Sequence, residues 1–408
     1  MTKTARIPIG LTATILMLAA LPGARAADGA TGLERALTSG TTHVDARLRH
    51  ERAEQDNGLR DADATTLRLR LGYQTDTWNG LDALAEFEGT FAIGGEDYNS
   101  GPAFLDSTNG HTGYTTIADP TDEQINRAWL RYRGPFDTEA KVGRQRLILD
   151  NARFIGNVGW RQNEQTFDAV SLVNNRLPGV VLRYAWVRKQ HFVLYNDNKM
   201  DTHLLNASYA YGPEFALSGY GYFVDFRDDS GPRAPGAPDH KVFGLRATGD
   251  IGGVRYALEY ADQSDHADAP SSVDAEYYLA EMSADAGPLG LTAGYEVLGG
   301  DGTYGFQTPL ATNHAFQGFA DVFLTTPASG VRDRYGSLSA TWAGFRGTAI
   351  YHDFRSDEGS GDLGSEVDLV VARPLTSRLN ALVKYADYSA DDFGVDTRRF
   401  WVQAEYAF

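Results

Sequence analysis

Apolar and polar residues alternate one by one in segment after segment of this chain. In 65–77, Thr65, Leu67, Leu69, Leu71 and Tyr73 alternate with Thr66, Arg68, Arg70, Gly72 and Gln74. In 81–93, Leu81, Ala83, Ala85, Phe87 and Phe91 alternate with Asp82, Leu84, Glu86, Glu88 and Thr90. The last segment places Phe400, Val402, Ala404, Tyr406 and Phe408 between Arg399, Trp401, Gln403 and Glu405. A strand repeats every two residues, so each of these segments has one apolar and one polar face. Any fold for the chain has to cover an apolar face on nearly every strand.

The connections narrow the choice. Short turns such as Trp78-Asn79-Gly80, Gly134-Pro135-Phe136-Asp137, Ala286-Gly287-Pro288 and Ala343-Gly344 carry the residues that tight hairpins need. They interleave with long polar connections near 52–63, 94–122, 149–164, 188–200, 227–240, 262–272, 299–331, 355–362 and 389–396. Regular alternation of short and long connections is the pattern of an all-β, transmembrane antiparallel β-barrel with short periplasmic turns and long extracellular loops. A soluble β-sandwich or propeller would not need it. Counting gives eighteen strands, at 41–51, 64–77, 80–93, 123–133, 138–148, 165–174, 180–188, 201–211, 214–226, 240–249, 253–262, 273–285, 288–298, 332–342, 345–354, 363–373, 378–388 and 397–408. The spans 138–148 and 273–285 alternate poorly, which leaves sixteen strands as the alternative.

The rest of the chain agrees. Residues 1–26 read as a signal peptide, with Lys3 and Arg6, an apolar run from Ile9 to Leu21, and Ala24-Arg25-Ala26 at the cleavage point. Residues 27–40 then form a short periplasmic segment, and 41–408 form the barrel. Removing the signal takes the net charge from −17 to about −20, which argues against nucleic acid as a partner. There are no cysteines, so no disulfide is expected. The terminal aromatic Phe408 is the kind of ending read by barrel assembly machinery. The expected setting is the bacterial outer membrane, with its lipids as partners.

In a barrel the polar face lines the lumen, and eighteen strands enclose an aqueous path. The inward set includes Arg47, Arg49, Arg68, Arg70, Glu86, Glu88, Arg127, Arg131, Lys141, Arg255, Lys384 and Arg399. One reading is structural: Arg68 and Arg70 sit beside Glu86 and Glu88 on the next strand, as cross-strand ion pairs. The other is selectivity, since ladders of Arg and Lys attract anions and repel cations. An enzymatic reading is the weakest, because the histidines are scattered and none lies in a motif with a serine. No cofactor or metal is implied.

Several stretches resemble one family. They are Gly143-Arg144-Gln145-Arg146-Leu147, Asp150-Asn151-Ala152-Arg153-Phe154-Ile155-Gly156, Trp160-Arg161-Gln162, Phe167-Asp168-Ala169-Val170, and the run from Phe306 to Leu324. They are similar to the alginate-export family of outer-membrane channels. The resemblance implies an eighteen-stranded monomeric barrel with an arginine-rich lumen, passing an anionic polysaccharide or small anionic solute passively. It places Arg144, Arg146, Arg153 and Arg161 on or near a segment that folds over the mouth. Lys141 has the opposite parity to Arg144 and Arg146, so a bulge is needed if all three face inward. Asp168, His314 and Asp321 are further constriction candidates, the latter two in the long 299–331 connection. The chain departs from the dedicated exporter in two ways: Arg373-Pro374-Leu375-Thr376-Ser377-Arg378 is a short turn where the exporter has a plugging loop, and the chain is acidic overall. A less selective nutrient porin and a structural or adhesive barrel with a plugged lumen remain the competing functions.

Overall fold

A computed structural model describes residues 32–227 and 238–408. The expected signal peptide, residues 1–26, lies outside them. A short helix α1 (Gly32–Thr38) precedes the barrel and is tied to it: the Tyr73 hydroxyl donates to the Leu37 carbonyl at 2.7 Å, and the Asp76 N–H to that of Ala36 at 2.9 Å.

Eighteen strands follow. They are β1 (Thr41–Gln55), β2 (Ala62–Gln74), β3 (Leu81–Asp97), β4 (Asp122–Gly134), β5 (Thr138–Gln145), β6 (Thr166–Asn174), β7 (Val180–His191), β8 (Asp197–Ala210) and β9 (Ala216–Val224). The second half comprises β10 (His240–Ile251), β11 (Val254–Asp265), β12 (Asp274–Ala286), β13 (Leu289–Leu298), β14 (Val331–Trp342), β15 (Phe345–Arg355), β16 (Asp362–Pro374), β17 (Leu379–Ser389) and β18 (Thr397–Ala407). Each strand pairs antiparallel with the next, and β18 pairs with β1 from Thr397↔Gln55 to Ala407↔Asp45. Phe408 extends this seam, exchanging backbone hydrogen bonds with Val44 at 2.8 and 3.0 Å. Closure leaves no strand edge unpaired, so the outer surface can be apolar throughout. Leu69, Phe87, Leu130, Leu205, Leu245, Leu258, Met282, Leu291, Leu369 and Val402 all point outward and are exposed, as a lipid-facing band requires.

Both doubtful spans are strands, so the count is eighteen and not sixteen. The alternation of β12 is blurred because inward Tyr277 and Leu279 are apolar. They are apolar because they are covered. Tyr277 packs on Phe154 and Phe306, with ring centroids 5.1 and 5.7 Å away, from two loops that fold into the barrel. The core is therefore inside the lumen, between the wall and residues 146–165 and 299–330. β5 is also shorter than expected, ending at Gln145. The expected 188–200 connection shrinks to 192–196, because β7 and β8 continue pairing beyond a bulge at Val187/Lys189.

Candidate functional site

The inner wall of β1 and β2 carries four guanidiniums in two rows. Arg47 lies opposite Arg68, and Arg70 opposite Asp45. Like charges directly across a ladder repel, and the neighbouring strand supplies the remedy. Glu405 of β18 accepts from Arg47 at 3.1 Å and from Arg68 at 3.0 Å, and Asp45 also bonds Arg68. Arg49 donates to the Gln403 side chain at 2.7 and 3.1 Å. Arg70 bonds Glu88 on β3, as the sequence suggested. Arg68 and Glu86 do not form the other expected pair: Glu86 instead accepts from Nη2 and Nε of Arg127, at 2.6 and 2.8 Å. A bulge in the β3–β4 pairing at Glu86/Phe87 brings Arg127 opposite Glu86. Arg131 forms a similar fork on Asp82, and Lys141 sits 3.8 Å from Glu139 with Trp129 beside both cations.

Two loops cross the lumen and bond to this wall. From 146–165, the carbonyls of Gly159, Trp160 and Arg161 all accept from Arg47 Nη1, at 3.0, 3.1 and 3.2 Å, and that of Trp160 also accepts from Arg49 at 2.6 Å. The Arg161 side chain pairs with wall residue Glu51 at 3.1 Å and with Asp321 of 299–330 at 2.8 Å. Arg399 holds the other oxygen of Glu51 at 3.1 Å and the Ala320 carbonyl at 2.9 Å. The loops also bond to each other: Gly156 N–H donates to Leu310 at 2.8 Å, and Thr312 N–H to Ala152 at 3.0 Å. Gly318 approaches the wall so closely that a Cβ there would lie 2.3 Å from the Glu366 carboxylate, and its φ of +78° suits glycine alone.

Lys384 reaches from β17 into the junction. Its ammonium bonds His314 Nε2 at 2.7 Å and lies 4.2 Å from the Trp160 ring and 3.0 Å from that of Phe319. The other His314 nitrogen faces Asp321 at 2.7 Å. Burial pushes His314 down to about 3; Asp321 opposes that shift, while Lys384 and Arg161 add to it. Burial alone would raise the Asp321 carboxyl, but His314, Arg161 and Arg399 hold it well below the usual range. Glu164 is likewise held low, by Arg70 and Arg146 against the cost of burial. Arg153 is fully buried, bonded to Glu296 at 2.6 Å and to Gln317 at 3.0 Å.

Of the residues singled out in the sequence, the structure gathers Arg47, Arg49, Arg68, Arg70, Glu88, Arg146, Arg153, Arg161, His314, Asp321, Lys384 and Arg399 at the meeting of wall and loops. Glu86, Arg127, Arg131 and Lys141 stand beside it on the same wall. Arg144 and Asp168 do not join it. Arg144 shares the outward parity of Val142, and pairs with Asp168 at 3.1 Å and with the Ile125 carbonyl. Arg146 does turn inward, to Glu164 at 2.5 Å, because the chain leaves β5 after Gln145. Gly143, with φ +119° and no room for a Cβ, which would lie 2.3 Å from the Ala128 carbonyl oxygen, provides the irregularity in that strand. Arg255 is inward but exposed, paired with Asp285 near the turn between β11 and its predecessor. Asp119, Glu164, Gln162 and Glu296 belong to the network and were not singled out. The first three lie in loops, where no periodicity marks the direction of a side chain.

A sequence model of the family described as Alginate export matches residues 40–310. No relative is found among curated proteins. Among solved structures, OpdL of Pseudomonas aeruginosa superimposes with a TM-score of 0.67 at 18% identity, over 91% of this chain and 99% of its own. OpdK of the same organism, solved with vanillate, gives 0.67 at 17% identity, over 90% and 98%. OccAB2 of Acinetobacter baumannii gives 0.69 at 15% identity, over 92% and 99%. At these identities the likeness is one of fold.

Proposed function

Because the chain belongs to the alginate export family of integral outer-membrane barrels, we propose that it is a passive channel for anionic saccharides or small anionic solutes. One observation carries the reading: Arg47, Arg49, Arg68 and Arg70 stand together on the inner face of two adjacent strands, continued by Arg399 and Lys384 on β18 and β17. Stacked guanidiniums offer a moving carboxylate a series of forks, and the acids Asp45, Glu88 and Glu405 among them weaken its hold enough to let go. OpdK, solved with vanillate, supports a small carboxylate among the cargoes. On this reading the ladder, buried under the loops as they are docked, lines the path together with Arg127 and Arg131 once the loops move, and Arg146, Arg153 and Arg161 hold the loops that narrow it.

A less selective nutrient porin is the second reading. It is favoured by Glu51, Asp82, Glu86, Glu88 and Glu405, which stand among the arginines and neutralise much of their charge. Liposome swelling separates the two. The anionic reading expects faster swelling with glucuronate than with glucose. Equal rates favour the porin, and no swelling with either favours a barrel plugged for a structural role.

A further inference from the structure

We propose that residues 159–162 are an internal ligand of the arginine ladder, and that a carboxylate-bearing solute opens the channel by taking their place. The segment presents neutral oxygens to charged donors. Arg47 Nη1 is shared among three carbonyls, Arg49 Nη2 uses that of Trp160, and Arg70 reaches that of Gln162 only at 3.5 Å. Two loop carboxylates approach this row, Asp119 at 3.6 Å from Arg49 Nη1 and Glu164 at 3.6 Å from Arg70 Nη2, both as ion pairs beyond hydrogen-bond range. The ladder is left with unspent donors. No described residue accepts from Arg47 Nε, Arg49 Nη1, or Arg68 Nε and Nη1, although all are buried.

An unsatisfied buried donor costs about 1–3 kcal/mol. A guanidinium bonded to an ionised carboxylate gains an ion–ion attraction that a neutral carbonyl cannot supply. The planar fork also matches both oxygens of a carboxylate at once. A solute carboxylate therefore satisfies the ladder better than the loop does.

The loop is attached in a way that permits release. Val158, immediately before the segment, has φ +49°, a left-handed conformation that is strained for a β-branched residue. Trp160 is the segment's main apolar anchor, 4.1 Å from the Arg49 guanidinium and stacked on His314, and its indole N–H is buried without an acceptor. Undocking relieves the strain at Val158 and frees that N–H. Release also withdraws Arg161 from Glu51 and Asp321, but Arg399 stays on Glu51 and His314 on Asp321, so the docked state is a competitor for the site and not a permanent seal.

The inference goes beyond the proposed conduction of anions and rests on it only in that the solute must reach the ladder. Its test uses the full-length protein in planar bilayers, with the fraction of time open recorded in KCl. Adding sodium glucuronate at millimolar concentration raises that fraction by about tenfold, while glucose leaves it unchanged. Trp160→Ala opens the channel without glucuronate, and in that variant glucuronate only reduces the current, because the site is free to be occupied. Limited proteolysis of 146–165 in the wild type gives a readout free of any variant: cleavage quickens with glucuronate and not with glucose. Equal open fractions and equal cleavage rates with the two solutes overturn the proposal. A channel that glucuronate opens but that then conducts cations would instead refute the anion-conducting reading and leave this inference standing.

Discussion

Trp160 and His314 lie face to face, with ring centroids 4.6 Å apart and planes 6° from parallel. One ring comes from each of the two loops that enter the barrel, and the Lys384 ammonium of the wall touches both. This stack is where two loops and the wall become one packed unit.

Acid should loosen that unit. His314 titrates at about 3 when docked, against an ordinary 6.5. Between those values an undocked loop binds a proton that the docked loop cannot, so docking is favoured fully above about pH 6.5 and loses roughly 1.4 kcal/mol per pH unit below it. The groups that face His314 are Asp321, Lys384, Arg161, Trp160, Phe319 and Trp401. Asp321 does not cancel the effect, since its carboxyl stays ionised well below its usual 3.8. Channel current should rise as pH falls from 7 to 5. His314→Phe keeps a ring for stacking and should flatten that rise.

Arg153 and Glu296 should be needed together. Both are buried and they bond at 2.6 Å, one from the loop and one from β13. Removing a single partner of a buried pair leaves an uncompensated charge, at a cost of about 3–5 kcal/mol. Glu296→Gln should release 146–165 to protease while the far-ultraviolet spectrum of the barrel is retained. A loop that stays protected would show that the pair does not hold it.

The outer face should discriminate by depth. Leu258 is 51% exposed in the middle of β11, on the lipid side. Leu258→Arg should cost about 2–4 kcal/mol in urea titration of the protein folded into vesicles. Arg144→Leu, at the end of β5 where a charge already faces outward, should cost less than half of that.

The strands were legible because a lipid face on one side forces alternation on each of them. Thr397–Ala407 and Leu379–Ser389 fall within a residue or two of their expected bounds. The reading failed where the inner face stops being wet. Tyr277 and Leu279 blurred β12 because Phe154 and Phe306 cover them. The wall half of the site followed from parity, which gave Arg47, Arg49, Arg68 and Lys384. The loop half had no such rule. Arg153, Arg161, His314 and Asp321 came from resemblance, and Asp119 and Glu164 carried no signal in either form. Arg144 came from resemblance too, and its parity, opposite to that of Lys141, left its direction open; it faces outward with Val142.

The central claim is that anions follow the ladder of Arg47, Arg49, Arg68 and Arg70. Its most direct test is the reversal potential of the open channel in a planar bilayer under a KCl gradient. The account predicts a potential of the sign set by chloride, moving toward zero in Arg49→Gln and Arg68→Gln. A potential of the sign set by potassium would contradict it.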